Sequence, residues 1–168
     1  MTRELPTAAY LVLGLLERMG ESTPYDLKTF AASSTNLVFL LPHTQIYTQC
    51  ERLVEEGLLD ERREEGGRRR RLLTITDSGR EALDAWRADA TPVPVEARDL
   101  ALLKVFFGAD PRVIAPEQVR MHEERLAHYR ELEALGSDLP EGPRVTLDFG
   151  LRYEQALVDF WSEHLRDE

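Results

Sequence analysis

The hydrophobic pattern along the first ninety residues switches from a helical period to a strand period and back. Residues 7–19 are apolar almost all round, with Ala8, Ala9, Leu11, Val12, Leu13, Leu15 and Leu16, and Gly20 stops the run. This predicts a helix buried on more than one side, which in a small domain implies cover from a second domain or subunit. Thr23-Pro24-Tyr25-Asp26 supplies a cap, a first-turn proline and an acid three residues past the cap. It predicts a second helix through Leu27, Phe30 and Ala31 that ends in the short polar residues Ser33 to Asn36. After Leu41-Pro42 a third helix runs to about Glu56 and stops at Gly57. Ile46, Cys50, Leu53 and Val54 fall on one of its faces, and Gln45, Thr48, Gln49 and Arg52 on another that is uniformly polar. Two short strands, Leu58–Arg63 and Arg70–Thr76, flank Gly66-Gly67, a hairpin signal with Arg68, Arg69, Arg70 and Arg71 beside it. A fourth helix, capped by Thr76, is expected to carry Leu83 and Trp86 inward.

Thr91-Pro92-Val93-Pro94-Val95 interrupts the helical pattern, because prolines two apart favour an extended linker. Beyond it only helices are predicted: Asp99 to Phe107, about Pro116 to Leu135, and about Val145 to the C-terminus, the last two separated by a turn from Gly136 to Pro143. The last helix carries two apolar stripes. Leu147, Leu151, Val158, Trp161 and Leu165 form one; Phe149, Tyr153, Ala156 and Phe160 form the other. One stripe suffices to dock a helix on its own chain, so two suggest a second chain, against the blander reading of a wholly intramolecular core. The first stripe is taken as the dimerisation set. The organisation expected is a domain over 1–90, a linker over 91–98 and a helical domain over 99–168.

Composition narrows the class. The chain has 168 residues, of which 42% are hydrophobic, and one cysteine, so neither an internal disulfide nor a cysteine-rich zinc module is available. No apolar run approaches the ~20 residues of a membrane span and no secretory signal is visible, which leads to the expectation of a cytoplasmic protein without a membrane partner. Net charge is −10, which by itself argues against nucleic acid. The distribution reverses that. Residues 1–90 hold 12 Lys and Arg against 15 Asp and Glu, residues 91–168 hold 9 against 16, and the arginine run lies in the less acidic part.

Three helices, a hairpin with a basic tip and a further helix in this order make a winged helix-turn-helix, followed by an all-α dimerisation domain in a mainly α chain. In such a module the third helix enters the major groove and the wing reaches phosphates or the minor groove. The candidate DNA contacts are therefore His43, Thr44, Gln45, Tyr47, Thr48, Gln49 and Arg52 on the helix, with Arg68, Arg69, Arg70 and Arg71 on the wing. An arginine run is usually just solvated; here the surrounding elements favour a role.

Thr23-Pro-Tyr-Asp-Leu27, Leu41-Pro-His-Thr-Gln-Ile-Tyr47, Leu53-Val-Glu-Glu-Gly-Leu58 and Leu73-Thr-Ile-Thr-Asp-Ser-Gly-Arg80 resemble the PadR family of transcriptional regulators. The helical half, including Leu100 to Phe107, is similar to the dimerisation domain of its longer subfamily. Pro24 stands where many members have glycine. The resemblance implies a homodimer on a palindromic double-stranded operator, acting as a repressor that a small aromatic or apolar effector releases. The junction of the first and fourth helices with the C-terminal domain is the expected effector site, with Tyr10, Trp86 and Phe106 as wall residues.

The competing reading is a protein-interaction module with an acidic body and no DNA role. It should lack both the basic wing and the polar face, and this chain has both. Enzymatic readings find no support. His122 and His128 are six apart, the wrong spacing for one helix face, and Cys50 falls on a buried face. No phosphate loop or nucleophile elbow occurs. Neither a catalytic residue, a metal ligand nor a cofactor is expected.

Overall fold

Pro6, in extended conformation, leads into α1 (Thr7–Met19), whose Ala9, Val12, Leu13 and Leu16 are fully enclosed. The computed structural model describes residues 5–35, 42–63, 70–94, 99–136 and 138–165. The chain divides into two compact units, residues 1–93 and 94–168.

In the first unit α1 is the central element, packed against α2 (Pro24–Ser33), α3 (His43–Glu55), the strand β2 (Arg71–Ile75) and α4 (Asp77–Ala88). Four-sided packing is why it has no polar face. The Thr23 hydroxyl accepts from the Asp26 N–H at 3.2 Å and the Thr23 N–H donates to the Asp26 carboxylate at 3.0 Å, so the capping box closes with aspartate at its third position. At the other end of α3, Leu58 N–H reaches the Leu53 carbonyl at 2.9 Å and Gly57 N–H the Val54 carbonyl at 3.1 Å. Gly57 holds φ 71°, the left-handed residue this pair of bonds demands.

Strand β1 (Leu59–Arg63) pairs antiparallel with β2, Leu59 opposite Ile75 and Arg63 opposite Arg71. Ser22 extends this hairpin by exchanging both backbone hydrogen bonds with Leu73. Thr76 caps α4 by accepting from Gly79 N–H at 3.1 Å, and its own hydroxyl donates to the Gly57 carbonyl at 3.0 Å. One residue thus ties the start of α4 to the end of α3. Gly79 permits this closeness, because a Cβ there would press on the Leu58 carbonyl and come within 2.9 Å of Ile75 Cγ1. Gly79→Ala should accordingly destabilise the first unit by about 1–3 kcal/mol by overpacking. Urea unfolding would check this; an unchanged midpoint would mean that the helix shifts freely.

In the second unit, Asp99 caps α5 (Leu100–Phe106) and Asp110 caps α6 (Pro111–Leu135). The helix α6 begins five residues before the expected Pro116, which lies inside it. Pro111 at the first position with Asp110 as cap is the stronger start signal, and a proline in the second turn removes only one bond. Likewise α7 (Glu141–Glu163) starts before Val145, with Pro143 in its first turn. α6 and α7 pack antiparallel, Ala115 and Val119 against Trp161 at one end and Tyr129 on Gly150 further along. A Cβ on Gly150 would lie 2.9 Å from the Tyr129 ring.

The two stripes of α7 part company. Leu147 and Trp161 are buried in their own unit and Leu151 and Val158 are half-buried. Phe149, Tyr153, Ala156 and Phe160 are exposed. The expectation that the Leu147 stripe faces a partner is therefore corrected for Leu147 and Trp161, both buried within their own unit, Trp161 against α5 and α6. Leu165 lies beyond the end of α7, exposed.

Between the helices sits a buried ionisable pair that the sequence reading passed over. His122 and Glu154 are each 4% exposed, with Nδ1 and Oε2 2.5 Å apart. Arg125 lies 3.7 Å from the other Glu154 oxygen. Burial, and then the Glu154 carboxylate, push the neighbouring Tyr129 hydroxyl up in pKa.

Candidate nucleic-acid interface

Three inward residues, Ile46, Cys50 and Leu53, anchor α3 in the core of the first unit. Their helical spacing fixes which residues face out. Thr44, Gln45, Tyr47, Thr48 and Glu51 are exposed, and Gln49 and Arg52 are half-buried at the edge. The Thr48 hydroxyl donates to the Thr44 carbonyl at 3.1 Å. Gln49 Oε1 is buried with no hydrogen-bond partner. Pro42, at the cap position, offers no side-chain bond to the first turn of α3, so that turn keeps donors for an anion.

The expected polar face keeps Gln45 and Thr48 exposed, beside the further candidates Thr44 and Tyr47, while Gln49 is half-buried. The face changes at Arg52, whose Nε is held by Glu56 at 2.8 Å one turn on. On the hairpin, Arg70 is exposed and pairs with no acid within 4 Å among the described residues, whereas Arg71 is half-buried and bonded to Glu61 at 2.6 Å. Arg68, Arg69 and the side chain of His43, which opens α3, lie outside the described residues. Glu61 also accepts from Arg63 at 3.0 Å, and Arg71 approaches Glu51 of α3 at 3.8 Å. The Arg63 hydrogen bond, then that of Arg71, hold the Glu61 carboxyl below its usual range. The register of the hairpin explains this network. Glu61 faces Leu73, so Arg71 is its diagonal neighbour.

Tyr10 and Trp86 stack with ring centres 4.9 Å apart and planes 11° from parallel. Trp86 is 46% exposed, not turned inward as expected: Leu83 fills the core and Trp86, three residues on, lies at its rim. The Tyr10 hydroxyl accepts from Leu5 N–H at 3.3 Å. Phe106 belongs to the second unit, exposed on α5 and edge-on to Phe107. Among the described residues no group of His, Cys, Asp and Glu is arranged to hold a metal, and no helix is long and apolar enough to cross a membrane.

Residues 12–85 match the transcriptional regulator PadR-like family, and residues 97–167 match the virulence activator alpha C-terminal family. The negative transcriptional regulator PadR of Bacillus subtilis (strain 168) is 32% identical over 100 residues, which span 58% of this chain and 54% of that relative. The crystal structure of Bacillus subtilis PadR in complex with operator DNA superposes with a TM-score of 0.82 at 25% identity, covering 95% of this chain and 98% of that one. For the same protein in complex with p-coumaric acid the values are 0.74 and 23%, with 97% of each chain covered. The Vibrio cholerae virulence activator AphA gives a TM-score of 0.71 at 26% identity, covering 94% of this chain and 95% of that one.

Proposed function

As a chain that belongs to the PadR family of transcriptional regulators, whose matched members are regulators rather than enzymes, this protein has recognition to perform, and we propose that it represses transcription by binding a palindromic operator as a homodimer. The observation that carries the reading is the outward face of α3. Thr44, Gln45, Tyr47 and Thr48 form an uncharged, hydrogen-bonding surface, placed on the helix that this fold class inserts into the major groove. Arg70 and the arginines before it would meet phosphates or the minor groove. The operator-bound Bacillus relative supports the same assignment. A protein-interaction role would leave these two features unused.

A single module reads only a few base pairs, so the protein works as a pair of them on half-sites about 34 Å apart. The exposed face of α7, with Phe149, Tyr153 and Phe160, is the contact we assign to the second copy, in place of the buried stripe. Repression, rather than activation, follows the negative regulator it matches. A flat aromatic effector would stack on the exposed Trp86 of the Tyr10–Trp86 pair and would favour a conformation unfit for the operator. Operator binding sets its place of action in the cytoplasm.

The test is a gel shift on the DNA upstream of its own gene, with and without phenolic acids. Gln45→Ala should cost about 1–3 kcal/mol per half-site if the amide reads a base through two hydrogen bonds. Thr48→Ala and Gln49→Ala should weaken the same specific complex by less, while binding to unrelated DNA is preserved. Arg70→Ala should weaken both equally and lower the salt slope by about 1 per chain. A uniform loss for Gln45→Ala would move that residue to the backbone, and no shift on any duplex would end the reading.

A further inference from the structure

Resting on the DNA-binding reading above, we propose that Glu61 is a brake on DNA binding, a fixed carboxylate in the wing that occupies arginines the phosphate backbone would otherwise engage. Its side chain is largely buried, and it accepts from Arg63 Nε at 3.0 Å and Arg71 Nε at 2.6 Å. One carboxylate therefore holds two guanidinium groups. Glu51 of α3 adds a second negative neighbour to Arg71 at 3.8 Å. These four side chains are neutral as a set, and they lie where the hairpin stem meets α3, the two parts that face DNA. The neighbouring arginines are held too, Arg62 by Glu21 at 2.7 Å and Arg52 by Glu56 at 2.8 Å.

A phosphate that recruits Arg63 or Arg71 must displace an anion already in place. It must then tolerate the released carboxylate beside the DNA backbone, where like charges repel. Each phosphate contact is won against this exchange, so the sequence-independent part of the affinity is held down. Glu61 is the residue to name because it is shared by two arginines. Glu56 and Glu21 each answer for one. The sharing comes from the register: Arg63 is two residues along the same strand face, and Arg71 is diagonal across the hairpin.

The experiment measures binding of the full chain to a mixed-sequence duplex by fluorescence anisotropy over a series of salt concentrations. Glu61→Gln should bind about two- to tenfold tighter, the scale of one or two surface ion pairs released. The slope of log affinity against log salt should steepen by about 1 per chain. Glu51→Gln, at an exposed position, should shift both in the same direction by less. Glu124→Gln in α6, which also removes one charge from an arginine pair, should leave both near the wild-type values. Equal or weaker binding by Glu61→Gln at an unchanged melting temperature overturns the proposal, since the carboxylate would then be presenting its arginines to DNA. If Glu61→Gln melts lower, Glu51→Gln decides: tighter binding upholds the brake and weaker or equal binding refutes it. A wild-type chain that binds no duplex at low salt fails the DNA reading itself.

Discussion

Replacing Phe149 and Tyr153 together by Asp should leave α7 folded on α6, abolish the dimer and lower operator affinity by about 10²–10⁴-fold, the avidity lost when two linked half-site contacts become one. The two rings are 57% and 52% exposed and stack on each other at 5.9 Å. They lie on the side of α7 away from Leu147 and Trp161, so charging them removes nothing from the internal packing. Sedimentation measures assembly and a gel shift on the operator measures affinity. Monomers that bind the operator as before would dismiss the two-fold reading. A dimer with unchanged affinity would place the contact on another surface.

Loss of one member of the His122–Glu154 pair should be the most damaging change in the second unit. Among the described residues, His122→Ala leaves the enclosed Glu154 carboxylate with Arg125 alone, at 3.7 Å and half in solvent, to answer it. Breaking a buried pair in this way costs about 3–5 kcal/mol, enough to consume much of the stability of a small unit. Replacing both residues by Leu removes the desolvation cost together with the attraction, so the double variant should recover most of the loss. Urea unfolding followed by circular dichroism would give both values. Additive losses in the double variant would mean that the two side chains act separately, and that their short approach contributes no coupling.

Both predictions depend on features that were unevenly legible beforehand. Cap and stop signals are local, which is why Thr23, Thr76 and Gly57 announced their roles without any knowledge of the fold. The two stripes of α7 were equally visible, but which one docks depends on a partner helix with no fixed place in the sequence. Tyr129 needs the missing side chain of Gly150, and Trp161 needs Ala115 across from it; both are matches between distant positions. His122 and Glu154 follow the same logic. Each sits on a stripe of otherwise buried positions, Val119–His122–Leu126 and Leu147–Glu154–Trp161. A polar residue on such a stripe requires a partner, yet spacing within one helix could not say that the partner was 32 residues away. In the candidate interface, residue types indicated α3 and the wing. The state of the arginines was hidden, because pairing of Arg71 with Glu61 depends on strand register, and the turn residues alone do not give that register.

The lone cysteine has a practical meaning for all of these measurements. Cys50 is fully enclosed on the inner face of α3, and burial pushes its thiol up to about 12. Since only the thiolate reacts with maleimides or air-borne oxidants at appreciable rate, the native thiol is silent at neutral pH while the first unit is folded. The chain is thus already a blank background for site-directed labelling. A cysteine introduced at an exposed position outside the assigned contacts, such as Glu55 on α3 or Glu131 on α6, would take a dye or spin label alone. Distances between two copies, or between α3 and a labelled duplex, become measurable without first engineering Cys50 away and disturbing the core beneath the reading helix.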